Sequence, residues 1–116
     1  MVEMIRVKAK RCNDWSEWIY GLWLRPGVVR TFESLDAIDV NVTERTVCMD
    51  TGLKCGGDAV YENDWLAVED NDGEIHKFLV AMGETEFRAF EDEDISYSLE
   101  RVLLSKKCKI VGNLYD

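Results

Sequence analysis

The sequence is most informative at first in what it has little of. It has one proline, Pro26, and one histidine, His76. No apolar run approaches the ~20 residues needed to span a bilayer as a helix. A single histidine leaves room for at most one nucleophile–histidine couple. It also removes the His-rich clusters that hold most catalytic metals. The four cysteines, Cys12, Cys48, Cys55 and Cys108, show no paired ligand spacing, and the closest two are Cys48 and Cys55. Zinc sites bring their ligands in pairs two to four residues apart, so no metal and no cofactor is expected. The glycine-rich stretch from Gly52 to Asp58 lacks the Gly-Lys-Ser/Thr ending of a phosphate loop. The opening Met1-Val2-Glu3-Met4 has no signal-peptide core. The expectation is a cytoplasmic chain with reduced thiols.

What is present is ordinary in amount and uneven in distribution. The chain has 116 residues, 47% hydrophobic and 32% charged, with a net charge of −9. That is the size of one domain with a real core. Residues 1–30 carry six Lys/Arg against three acids, and residues 31–104 carry nineteen acids against five bases. An acidic chain of this kind is soluble and repels phosphate backbones, which disfavours non-specific DNA binding.

Along the chain, short β-like runs recur every 8–12 residues between turn signals. Residues 4–10 alternate, with Ile5, Val7 and Ala9 on one face and Arg6, Lys8 and Lys10 on the other, the mark of a half-buried strand. Trp15 to Leu24 is short, aromatic and β-favouring, with a bend at Gly21. Pro26-Gly27 turns the chain into Val28–Phe32. Residues 37–42 and 45–49 are further short runs, and Gly56-Gly57 favours a tight reversal. Trp65–Val68 suits a buried strand. Asn71-Asp72-Gly73 is a hairpin turn leading into 75–82, and 87–90 is another strand. The acids Glu91–Asp94 precede Ile95, Leu99, Val102 and Leu103 at helical spacing, so one short helix is predicted near 95–104, followed by a strand over 108–115. The fold class is mostly β, a barrel or sandwich. It is read as one domain over 1–116, with a soft boundary between sub-lobes 1–49 and 50–116 that share a core.

Candidate sites come from the aromatics and the cations. Trp15, Trp18 and Trp23 fall within nine positions of one another. They could pack the core, stack on a ligand or anchor a partner. Arg6, Lys8 and Lys10, with Arg11, form the basic strand that a nucleic-acid surface would use beside them. Among the many acids, Glu62 with Asp64 and Asp70 with Asp72 could form pairs. The stretch Asp70–Glu74 falls short of a calcium loop and is explained by the hairpin turn. His76 is read as a strand-surface residue rather than a general base.

Residues 51–66, Thr-Gly-Leu-Lys-Cys-Gly-Gly-Asp-Ala-Val-Tyr-Glu-Asn-Asp-Trp-Leu, together with Ile110-Val111-Gly112-Asn113-Leu114-Tyr115, resemble the YopX-like family of phage and prophage proteins. The matching positions are Thr51, Gly52, Leu53, Lys54, Tyr61, Glu62, Asp64, Gly112, Asn113 and Tyr115. Ile5–Ala9 is similar to the family's opening strand, and Trp18-Ile19-Tyr20-Gly21 to a Trp-Val-Tyr-Gly of many members. Cys55 and Asn63 depart from the pattern, standing where the family carries a polar residue and a glycine. The resemblance implies a mostly β fold with a small SH3-like barrel in the second half, a phage or prophage origin and a bacterial cytoplasm. It implies no catalytic residues, and the matched positions suit turns and packing.

The expected function is a non-enzymatic binding or accessory module for a protein partner, most naturally a basic host or phage protein. The alternative is a nucleic-acid-associated β-barrel module using Arg6, Lys8, Lys10 and the tryptophans. A small hydrolase built on paired acids is a third reading that no sequence feature favours. No membrane partner is expected, and association with a second copy of the chain is left open.

Overall fold

The computed structural model describes residues 5–32, 36–105 and 107–116. The expected strand start at Met4 and the helix-terminal Lys106 lie outside the described residues. The protein is mostly β, with antiparallel pairing throughout and one short α-helix. It divides into two compact units, one running to Asp50 and taking in Tyr115–Asp116, the other spanning Thr51–Leu114.

In the first unit, β1 (Arg6–Arg11) and β2 (Asp14–Arg25) form a hairpin whose turn uses Asn13 at φ 73°. Asparagine tolerates this left-handed conformation better than most residues. Pro26-Gly27 turns β2 into β3 (Val28–Thr31), with Gly27 at φ 80°, and β3 pairs with β4 (Ile38–Asn41). After β4 the chain returns to the end of β1. Cys12 N donates to Asn41 O and Thr43 N to Lys10 O, both at 2.9 Å, around a bridge between Arg11 and Val42. The start of β5 (Cys48–Cys55) pairs with β1 on its other side, Val7 opposite Met49. Val7, Ala9, Ile19, Val29 and Val42 form this unit's buried cluster.

The run over 45–49 is not a strand from its start. Glu44–Thr46 is a single 3-10 turn and β5 begins at Cys48. Thr46 explains the difference. Its hydroxyl donates to Thr43 O at 2.6 Å and accepts from Lys10 N at 2.8 Å, so the side chain satisfies backbone groups that a ladder would otherwise take.

In the second unit, the end of β5 turns at Gly56-Gly57, both at positive φ, into β6 (Asp58–Tyr61). A five-stranded sheet follows from β7 (Asp64–Glu69), β8 (Ile75–Met82), β9 (Phe87–Phe90), β10 (Ser96–Ser98) and β11 (Cys108–Asn113). Its order is β10-β9-β8-β7-β11, and it stays open rather than closing into a barrel. Cys55, Val60, Leu66, Phe78, Val80, Ala89 and Leu99 form the core of this unit.

The helix, α1 (Leu99–Leu103), is shorter than its apolar spacing predicts. Ser96–Ser98 are taken up by β9, with Tyr97 opposite Ala89. The acids before it close a loop instead of opening a helix. Asp92 Oδ1 accepts the backbone N–H groups of Asp94 and Ile95, each at 2.8 Å. An aspartate side chain that captures nearby backbone donors competes with helix formation.

Candidate functional site

The aromatic and basic residues of the first unit are engaged with one another. Lys10 lies opposite Trp18 and Lys8 opposite Tyr20 across the β1–β2 pair. The ammonium groups of Lys8 and Lys10 stand 4.6 and 4.4 Å from the centre of the Trp18 ring. Their residues are only 7% and 4% exposed. The alternating strand is therefore buried on both faces, Val7 and Ala9 by aliphatic packing and Lys8 and Lys10 by the indole. The long lysine stems make this feasible, because methylenes bury well while the charge rests on the ring's negative face. Trp18 Nε1 donates to Asp116 Oδ1 at 2.9 Å, and Lys10 Nζ lies 3.8 Å from the same oxygen.

Trp15 and Trp23 are held in the same manner. Trp15 donates its indole N–H to Thr43 Oγ1 at 3.2 Å, with the Arg45 guanidinium 4.7 Å from its ring centre. Trp23 packs against the core cluster and donates to Glu44 Oε1 at 3.1 Å, while Glu44 Oε2 accepts the Gly27 N–H. Arg6 is exposed.

The motif residues of the second unit sit at turns and strand joins. Thr51 Oγ1 donates to Val60 O at 2.7 Å and accepts from Leu53 N at 3.2 Å, with Gly52 at φ 79° beside it. Asp64 is 1% exposed. Its carboxylate accepts Tyr61 N–H at 2.8 Å and Asn113 Nδ2 at 2.9 Å, tying the start of β7 to the end of β11. Asn63, at φ 68°, accepts from Leu114 N. Glu62 meets this corner through its backbone carbonyl, which lies 3.4 Å from Asn113 Nδ2. Lys54 is exposed, and Glu62, Tyr61, Gly112 and Tyr115 are half-buried.

His76, on β8, is bracketed by two carboxylates. Its Nε2 lies 2.8 Å from Asp70 Oδ2 and its Nδ1 lies 3.6 Å from Glu91 Oε1. Asp70 first, then Glu91, hold the imidazole above its ordinary range against the opposing effect of burial. The hydrogen bond from His76 lowers Asp70 in turn. Asp70 Oδ1 also accepts the N–H groups of Asp72 and Glu74, which closes the turn. Asp70, Glu74 and His76 place one ligand atom each within 4.8 Å of one another. The His76–Asp70 hydrogen bond accounts for the closeness of two of the three. Burial, then its neighbour Cys55, pushes the Cys108 thiol up to about 12, which keeps it protonated and inert.

The feature that the sequence does not announce is on the outer face of the five-stranded sheet. Leu66, Phe78, Val80 and Ala89 point into the core. Side chains alternate along strands, so Trp65, Leu79 and Phe90 occupy the opposite face. They form one row across three strands, Trp65 opposite Leu79 and Leu79 opposite Phe90. With Ala81 and the residues Glu91, Asp92 and Glu93 they line a cleft of about 390 Å³. The available signal was the near-continuous apolar runs Trp65–Val68 and Phe78–Ala81. Strands apolar on both faces have something to cover on each.

No family model, curated protein or solved structure matches the chain. Among the described residues, no helix is long and apolar enough to cross a membrane.

Proposed function

We propose that this protein is a non-enzymatic binding module for a basic protein partner, and that the cleft over Trp65, Leu79, Ala81 and Phe90 is its contact surface. The observation that carries this reading is an apolar cleft lined by Trp65, Leu79, Ala81 and Phe90 beside the acidic segment Glu91-Asp92-Glu93. Interface centres are built of buried aromatic and aliphatic anchors with a polar rim. The net charge of −9 would steer a cationic partner toward the molecule. The resemblance to YopX-like proteins supports an accessory role in a phage or prophage, in the cytoplasm of its bacterial host.

Nucleic-acid binding is the weaker reading on this geometry. Lys8 and Lys10 rest buried against Trp18, which takes two of the four cations of that strand out of reach of a phosphate backbone. The two readings separate in one experiment. Purified basic proteins and single-stranded oligonucleotides are titrated against the protein and its Leu79→Glu variant at low and high salt. The expected result is salt-sensitive binding of a basic protein that Leu79→Glu abolishes. Weak, salt-independent binding throughout would overturn the reading. Tryptophan quenching by oligonucleotides, unchanged by Leu79→Glu, would replace it with the alternative.

A further inference from the structure

Resting on that reading, we propose that the cleft receives one arginine side chain of the partner, its stem on Leu79 and Ala81 between Trp65 and Phe90, its guanidinium on Glu93. Three observations favour this occupant. First, Trp65 and Phe90 are each one strand away from Leu79, on opposite sides. Two strand spacings set the flanking residues about 10 Å apart, room for one unbranched chain between two rings. Second, both flanks are aromatic, and a flat, weakly hydrated guanidinium stacks on rings where a compact ammonium prefers water.

Third, the edge carboxylates are not equivalent. Glu91 is turned toward His76 and Tyr97, whose hydroxyl lies 3.4 Å from Glu91 Oε2. Asp92 spends Oδ1 on closing its own loop. Glu93 is exposed and has no ion-pair or hydrogen-bond partner among the described residues. A carboxylate left open beside an apolar slot complements a side chain that is apolar along its length and cationic at its tip. Among the described residues, the cations that β8 and β9 place on this face are Lys77 and Arg88. Arg88, on the same face opposite Ala81, is committed to Glu86 at 2.9 Å and to Ser96 at 2.8 Å. Lys77, two residues before Leu79 and so on the same face, is exposed, and its charge would oppose a bound cation.

The test is an amide-resolved NMR titration with a blocked Gly-Gly-Arg-Gly-Gly peptide, and with the same peptide carrying citrulline or lysine. The expected result is saturable shifts at Trp65, Leu79, Phe90 and Glu93 with the arginine peptide, weaker ones with lysine and none with citrulline. Glu93→Gln, an exposed position that leaves the fold untouched, weakens binding about three- to fivefold, the size of a solvent-exposed charge pair. Lys77→Gln tightens it. Equal shifts from arginine and citrulline, or indifference to Glu93→Gln, would overturn the arginine assignment. Were a whole basic protein still to bind at the cleft, the wider reading would stand without it; were that protein to bind elsewhere, both would fall.

Discussion

The ammonium of Lys10 stands 4.4 Å from the centre of the Trp18 ring, and both groups reach the carboxylate of Asp116. With Lys8 on the same ring, the indole shields two charges that would otherwise be buried at a cost of several kcal/mol in apolar surroundings. Three of the residues that read as a ligand surface, Lys8, Lys10 and Trp18, pack against one another here.

Removing the ring therefore destabilises the protein. Trp18→Ala should lower the unfolding free energy by roughly 2–4 kcal/mol, combining lost packing with the loss of two cation–ring contacts to buried lysines. Trp18→Phe should recover part of it. Urea unfolding followed by circular dichroism measures both, and an unchanged midpoint for Trp18→Ala contradicts the assignment.

Gly21 makes a second structural prediction. A Cβ there would collide with the carbonyl of Arg30 on the neighbouring strand, a clash with backbone that no rotamer relieves. Gly21→Ala should cost about 1–3 kcal/mol, as overpacking does, and Gly21→Val more. The tryptophan-tyrosine-glycine portion of the Trp18–Gly21 motif then has a steric reason for its last residue. Thermal melts of the two variants check the order.

His76 should titrate above an unperturbed histidine. Asp70 raises it most, Glu91 adds to this, and Glu74 and Tyr97 are the other titratable groups around the site. The sign follows from the raised folded value. The stabilisation is complete below the unfolded pKa near 6.5 and is lost as pH climbs through the higher folded value. Asp70→Asn should bring the ring back toward its ordinary range in an NMR titration of the His76 ring protons. Identical curves for the two proteins would show that the 2.8 Å contact has no electrostatic effect.

Much of the architecture was legible in the sequence. The strands over Val28–Thr31, Ile75–Met82 and Phe87–Phe90 are bounded by Pro26-Gly27, Asn71-Asp72-Gly73 and acidic turn residues whose backbone preferences are strong. The mostly β class follows from them. The helix boundary was not legible, because Asp92 can serve a helix terminus or close a loop, and only the pairing of Ser96–Ser98 with β9 decides between them. The burial of Lys8 and Lys10 was hidden for a related reason. Alternation marks two faces of a strand but cannot show that an aromatic eight to ten positions later covers the charged one. The cleft was least visible of all. Trp65, Leu79 and Phe90 are distant in sequence, and their alignment depends on the register of three strands.

The central claim is that the outer face of the five-stranded sheet, and not the lysine–tryptophan face of the first unit, meets the partner. The most direct test is an amide-resolved NMR map of the labelled protein saturated with a basic protein that binds it. The account predicts shifts centred on Trp65, Leu79, Phe90 and residues 91–93, with Lys8, Lys10 and Trp18 unmoved. Shifts confined to Lys8, Lys10 and Trp18, with the cleft silent, would contradict it.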